Sequence, residues 1–281
     1  MSKKPEYDLA PDGQLALVNR LHSREKLHYV HRYIDQFLVA TKSKFKIRNY
    51  VDLMCGPGIC KFEDGQGFAD SSALYALKHK DLFTHYYFND LHTDSIGALS
   101  VRAKQLDLTT RCSFENLDCN EAGEKFVSMI KKQKSMQLAL NLVLIDGFGI
   151  ECKWNTVHQI ASLRKVDFII LFPAQMNIVR NAERWSNEDD PDIDKYMPDK
   201  HWRNEWKRTR LSNQPSAYYL CKIYMNGLSK LGYPYAQETA IKAEGGAPLY
   251  YLISASSHPL SEKFWKNAVS KDDEGQIRLI P

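Results

Sequence analysis

Four aspartates end apolar runs in this chain. YVDLMCGPG sets Asp52 four residues before Gly56 and six before Gly58, HYYFND ends on Asp90, and SFENLD ends on Asp118. LVLIDGFG supplies the fourth, Asp146, followed by Gly147, Phe148 and Gly149. A carboxylate at such a point can accept from ribose hydroxyls or an amine, or hold an ammonium group. Closely spaced glycines let a ligand come near the backbone. Together these residue types point to a nucleoside site.

Three ligands compete for the turn at 56–58. A phosphate loop needs GxxxxGK[ST], and Gly58 is followed by ICKFED, so that reading fails. A dinucleotide fingerprint wants a third glycine at position 61, which is Lys61, and Pro57 removes one backbone N–H from any pyrophosphate cradle. A nucleoside without phosphate suits the turn better. S-adenosylmethionine is one, with an ammonium group that Asp52 can help hold and an adenosine that needs close backbone approach. The cofactor site is read as Asp52, Cys55, Gly56 and Gly58, with Asp90 on the ribose and Asp118 on the adenine amino group. The alternative for each acid is a plain strand-end turn, where Asp is favoured in any case.

Asp146-Gly147-Phe148-Gly149 lies where methyltransferases of nucleic-acid amino groups carry an acid or amide, two prolines and an aromatic. Asp146 and the Gly147 carbonyl are expected to accept the two hydrogens of an exocyclic amine, and Phe148 to stack on a flipped base. Both prolines are absent here. The competing reading is a strand-ending turn with a buried Phe148. Asp146 and Phe148 are the candidate catalytic pair, and no metal site is expected. His22, His28 and His31 lie on or beside one helix without an acid-and-cysteine cluster, and are read as structural or surface residues.

These residues need a scaffold, and the hydrophobic pattern supplies one. The first helix places Leu27, Val30, Tyr33, Ile34, Phe37 and Leu38 on one stripe, with its Arg and Lys residues largely on the other face. Five apolar runs then alternate with helical segments, the sign of parallel strands covered on both faces. PYAQETAIKA and APLYYLISASS, separated by the turn EGG, read as a closing strand pair. The expected fold is α/β: a Rossmann-like class I methyltransferase fold, its mostly parallel seven-stranded sheet ending in an antiparallel strand. Residues 1–281 form a single domain, with an N-terminal helical extension at about 14–45 and an inserted lid or arm at about 181–212. In that arm Trp202, Arg203, Trp206, Lys207, Arg208 and Arg210 interleave as nucleic-acid surfaces do, but Glu188, Asp189, Asp190, Asp192 and Asp194 offset them. A solvated face is the favoured reading there.

Composition excludes little beyond this. The 281 residues are 43% hydrophobic and 26% charged with a net charge of +4, the balance of an ordinary globular chain rather than a disordered one. No apolar run is long enough to span a bilayer, and MSKKPEYDLAPDG lacks a signal-peptide core, so a cytoplasmic protein without membrane contact is expected. The six cysteines include no CxxC pair and are read as reduced.

Over most of its length the chain resembles the three-Cys-motif partner proteins, a prokaryotic and phage-associated family. The likeness rests on REKLHYVHRYIDQFL, YVDLMCGPG, SSALYAL, YYFND, LVLIDGFG with Trp154, VDFIILFP, the Trp202 region and LYYLISASSHPL with Trp265. Cys55 stands for that family's alanine, Asp70-Ser71-Ser72 for its Gly-Ser-Pro, and Gly147 for its proline. The resemblance implies a methyltransferase-like fold and a protein partner encoded nearby. Two functions follow: an S-adenosylmethionine-dependent methyltransferase of a base amino group in DNA or RNA, or a non-catalytic partner subunit of the same shape. A nicotinamide-dependent reductase is disfavoured by the missing glycine and the terminal strand pair.

Overall fold

The computed structural model describes residues 5–271 other than 64, 66, 81, 190, 212–215, 244, 245 and 247. Asp64 and Gln66 of the loop after Gly58, Asp190 of the acidic run, Ser212 at the end of the arm, and Glu244 and Gly245 of the EGG turn lie outside the described residues.

Two short strands, β1 (Tyr7–Leu9) and β2 (Leu15–Asn19), open the chain, so the expected helical extension begins with strand. Helix α1 (His22–Thr41) follows and buries Leu27, Val30, Tyr33, Ile34, Phe37 and Leu38, the stripe its spacing predicts. Next come β3 (Arg48–Asp52), the hairpin β4 (Ile59–Phe62) and β5 (Phe68–Asp70), α2 (Ser72–Lys78), β6 (His85–Asn89) and α3 (Thr93–Gln105). Then β7 (Cys112–Glu115), α4 (Cys119–Lys132), β8 (Leu140–Ile145), α5 (Trp154–Ala161) and β9 (Val166–Phe172) continue the alternation. The stretch read as a loop after Gly58 is thus partly strand. It pairs with the N-terminus in a four-stranded sheet of order β1-β2-β4-β5, a partnership between distant segments that local pattern does not reveal.

After a π-helical turn at Ala174–Ile178 come α6 (Val179–Ser186), α7 (Asp192–Tyr196), α8 (Trp202–Leu211) and α9 (Ser216–Lys230). The chain closes with β10 (Tyr235–Lys242), β11 (Pro248–Ser256) and α10 (Leu260–Val269). The main sheet has the order β10-β11-β9-β8-β3-β6-β7. Its first five strands in chain order are parallel, while β11 runs antiparallel to both β9 and β10. This is the α/β sheet expected of the class I methyltransferase fold. Strand order reverses between β3 and β8, and in such sheets the crevice for a ligand opens at the carboxyl ends of the strands there.

Helices α4, α5 and α6–α9 cover one face of the sheet, and α1, α2, α3 and α10 the other. The arm is part of the first layer. Trp185, Trp202 and Trp206 are buried in its core, while Arg203 pairs with Asp194, Arg208 with Glu205 and Arg210 with Glu183. The aromatic and basic residues therefore divide into core and surface instead of forming one stacking face. Among the described residues no helix is long and apolar enough to cross a membrane, and no group of three or more His, Cys, Asp or Glu residues could hold a metal ion.

Candidate functional site

The loops that follow β3, β6, β7 and β8 meet above the switch point, and each brings one of the four aspartates. Asp52, the last residue of β3, is buried. One of its oxygens accepts from the Met54 N–H (3.2 Å), the other from the Tyr50 hydroxyl (3.1 Å) and the Ser72 hydroxyl (3.4 Å). Burial, reinforced by the charge of Asp146, pushes its carboxyl up to about 7. Asp52 is therefore an internal brace of the turn, facing its own chain.

Asp90 stands at the other edge of that turn. Its Oδ2 accepts from the Gly56 N–H and its Oδ1 from the His92 N–H, both at 2.8 Å. Burial raises its pKa and these two amides oppose the shift. Each oxygen keeps a lone pair for a ligand hydroxyl. Beside it Asn89, fully buried, donates to the Leu53 and Leu117 carbonyls and accepts from the Leu117 N–H, tying together the loops after β3 and β7.

The two glycines of the turn differ. Gly56 has φ +62° and its Cα hydrogen faces open space, whereas at Gly58, φ +100°, a Cβ would lie 2.8 Å from Leu99 Cδ1. Gly58 serves helix packing, and Gly56 marks where a ligand can reach the backbone. Cys55 turns its thiol into the core, where burial holds it well above the usual thiol range, and its N–H donates to the Asn89 carbonyl at 2.9 Å. Only its backbone is left to face a ligand.

The turn is held from below by a buried cation that the sequence did not single out. Arg102 of α3 donates Nη1 to the Pro57 carbonyl (2.5 Å) and the Leu15 carbonyl (2.9 Å). Its Nε and Nη2 bind Asp12 at 2.8 and 2.9 Å and keep that carboxyl below its ordinary range. The N-terminal hairpin and the glycine turn are thereby riveted to one guanidinium.

Asp118 is exposed and caps α4, accepting from the Asn120 N–H at 2.8 Å. Asn120 passes the contact on: its Nδ2 also donates to the Glu151 carbonyl (3.0 Å), and its Oδ1 accepts from the Lys153 N–H (2.8 Å). Asp118 is thus linked to the loop that carries Asp146.

In that loop Phe148 is 47% exposed, which removes the reading of a buried turn aromatic. Gly147 lies against Met54 and Glu151, and Gly149 donates its N–H to Glu151 Oε2 at 2.8 Å. Asp146 is only 15% exposed and forms an ion pair with Lys26 Nζ at 2.5 Å. Lys26 belongs to α1, 120 positions away. It stands four residues before Val30 and seven before Tyr33, so it continues the apolar stripe at the helix's amino end, not the polar face expected for it. A lysine on that stripe is the one sequence signal that could have exposed it. Asn177 was also missed. It lies in the π-helical turn after β9, its Nδ2 abuts Gly149, and its buried Oδ1 has no partner among the described residues. Single π-turns of this kind recur at functional sites.

Solved structures share this fold. Protein LPL1258 from Legionella pneumophila str. Philadelphia 1 matches with a TM-score of 0.56 over 90% of this chain and 94% of that one, at 9% identity. An O-methyltransferase from Bacillus cereus in complex with SAH gives 0.43 over 80% of each chain at 10% identity. The N-terminal domain of human METTL16 gives 0.43 over 83% of this chain and 70% of that one at 11% identity. At such identities the likeness concerns the fold alone. No family model matches the chain, and no curated protein does.

Proposed function

We propose that this protein is a methyltransferase that uses S-adenosylmethionine and acts on an exocyclic amine of a nucleic-acid base. One observation carries the reading. A half-exposed Phe148 and a nearly buried Asp146 share a turn whose Gly147 lies against Met54, two residues before Gly56, and a Cβ at Gly56 would meet nothing within 4 Å. The open Gly56, flanked by the two-amide seat of Asp90, fits a nucleoside that carries hydroxyls and no phosphate. Asp118 at the rim would face its base, and the backbone at Cys55 and Gly58 would frame the turn. The cofactor, when bound, supplies a methyl group on a positively charged sulfur, open to attack by an amine nitrogen.

The residues of the chain do the rest. Asp90, with the buried Asp52 behind it, leaves the glycine side of the crevice negative, which favours a cationic ligand, while Lys26 balances Asp146. Phe148 offers a face for an unstacked base, and Asp146 with the Gly147 carbonyl accepts amine hydrogens, which localises the nitrogen lone pair toward the methyl group. The resemblance to the three-Cys-motif partner proteins adds a protein partner encoded nearby. A second reading, a non-catalytic partner subunit, is favoured by one feature: both oxygens of Asp52 are already bonded within the chain.

Calorimetry with S-adenosylmethionine and with its demethylated product tests the site. Binding is expected, and Asp90→Ala should weaken it about 100-fold, close to 2.7 kcal/mol. Absence of heat with both ligands would remove the cofactor. Labelled methyl transfer to bulk RNA and DNA separates the two readings, since a partner subunit binds without transferring.

A further inference from the structure

Helix α1 has anchors to the fold besides the ion pair on Asp146. α1 is already fixed through its apolar stripe, and Tyr33 of the same helix bonds Asp167 at 3.1 Å. Yet Lys26 reaches across the crevice to one oxygen, Oδ2, of the acid that heads the acceptor turn, and both side chains are withdrawn from water at 13% and 15% exposure. No other lysine or arginine among the described residues pairs with Asp52, Asp90 or Asp146. His22, Tyr250 and Glu25 border the pair: the His22 ring meets Tyr250 edge-on at 5.7 Å, and Tyr250 feels the charges of Asp146 and Glu25.

We infer that Lys26 is the positioning residue of the acceptor turn, holding Asp146 by Oδ2 so that Oδ1 and the Gly147 carbonyl face the two hydrogens of the target amine. This rests on the methyltransferase reading above and adds a residue from outside the strand-end motifs. Two features of the pair give Lys26 this role. A carboxylate free on both oxygens can rotate about its χ2 and present its lone pairs in many directions, whereas one anchored oxygen fixes the plane of the group. The ammonium also sets a positive charge between two neighbouring acids, Asp146 and Asp52.

Single-turnover and steady-state methyl transfer from labelled S-adenosylmethionine to bulk RNA and DNA, with calorimetry on the same preparations, tests the role. Lys26→Met should keep the cofactor Kd within about threefold and lower kcat about 100-fold, because loss of orientation acts on the transfer and not on the cofactor. Lys26→Arg, which keeps the charge and the reach, should recover at least about tenfold of that loss. Lys26→Met combined with Asp146→Asn should be no slower than Asp146→Asn alone, as expected of two residues acting as one unit. Wild-type rates in Lys26→Met, an equal fall in cofactor affinity and kcat, or additive losses in the double variant would each overturn the role while leaving the methyltransferase reading intact. A wild-type protein that transfers no methyl group removes both.

Discussion

The two sides of the crevice are built differently. The glycine turn after β3 is held by bonds among neighbouring strand ends on the sheet's rim: Asp52 to Met54, Asp90 to Gly56, Cys55 to Asn89. The turn after β8 takes its shape from side chains that helices bring to it: Lys26 of α1 on Asp146, Asn120 of α4 on the backbone around Cys152, and Asn177 of the π-helical turn against Gly149. The first kind of site is preformed by adjacent strand ends. The second depends on α1 and α4 docking correctly, so damage to packing should reach the acceptor turn before it reaches the glycine turn.

Arg102 offers the largest break in this contrast, because it ties the glycine turn to the N-terminal hairpin. Arg102→Met leaves the Pro57 and Leu15 carbonyls without their donor and returns Asp12 to solvent. The expected loss is about 3 kcal/mol in urea unfolding, accompanied by faster amide exchange at residues 56–58. An unchanged midpoint would mean that the rim holds the turn unaided.

Next in size is the comparison of the two glycines. Gly58→Ala combines a left-handed φ with a 2.8 Å clash on Leu99 and should cost about 2–3 kcal/mol of stability. Gly56→Ala meets no neighbour and should cost about 1 kcal/mol, while weakening the cofactor more than its stability loss explains. The reverse order of stabilities would show that ligand access and packing have been assigned to the wrong glycines.

A pH series sharpens the role of Asp52. Its folded carboxyl titrates at about 7, above the ordinary carboxylate value, so the folded chain binds its proton more tightly than the unfolded chain does. That contribution is fully present below about pH 4 and is lost as pH rises through 7. Wild-type stability should therefore fall between pH 4 and pH 7 by roughly 3 kcal/mol more than that of Asp52→Asn, which cannot ionise. Equal slopes in parallel denaturation series would place the buried charge elsewhere.

Much of this was legible in the sequence. The alternation of apolar strands and amphipathic helices, the closing strand pair and the acids at strand ends are local patterns, and local pattern is what side-chain periodicity encodes. The stripe of α1 was readable for the same reason. What escaped was whatever depended on a partner remote in the chain. The pairing of β2 with β4 joins Leu17 to Cys60, and no periodicity in either segment announces the other. Trp202 and Trp206, set among arginines, could be read as a stacking surface until the fold turned the rings inward and left the cations to nearby acids.

By itself, then, the sequence determined the order of the main-sheet strands and put an acid at four strand tips, because hydrophobic spacing and turn chemistry act over a few residues. Only the tertiary structure decided which acids look into the chain and which into the crevice. Asp52 became a buried brace, Asp90 a seat of two amides, and Asp146 the partner of a lysine from the first helix. The physical reason is that the surroundings of a charge are set by everything packed within a few ångströms of it, and most of those atoms are contributed by distant parts of the chain.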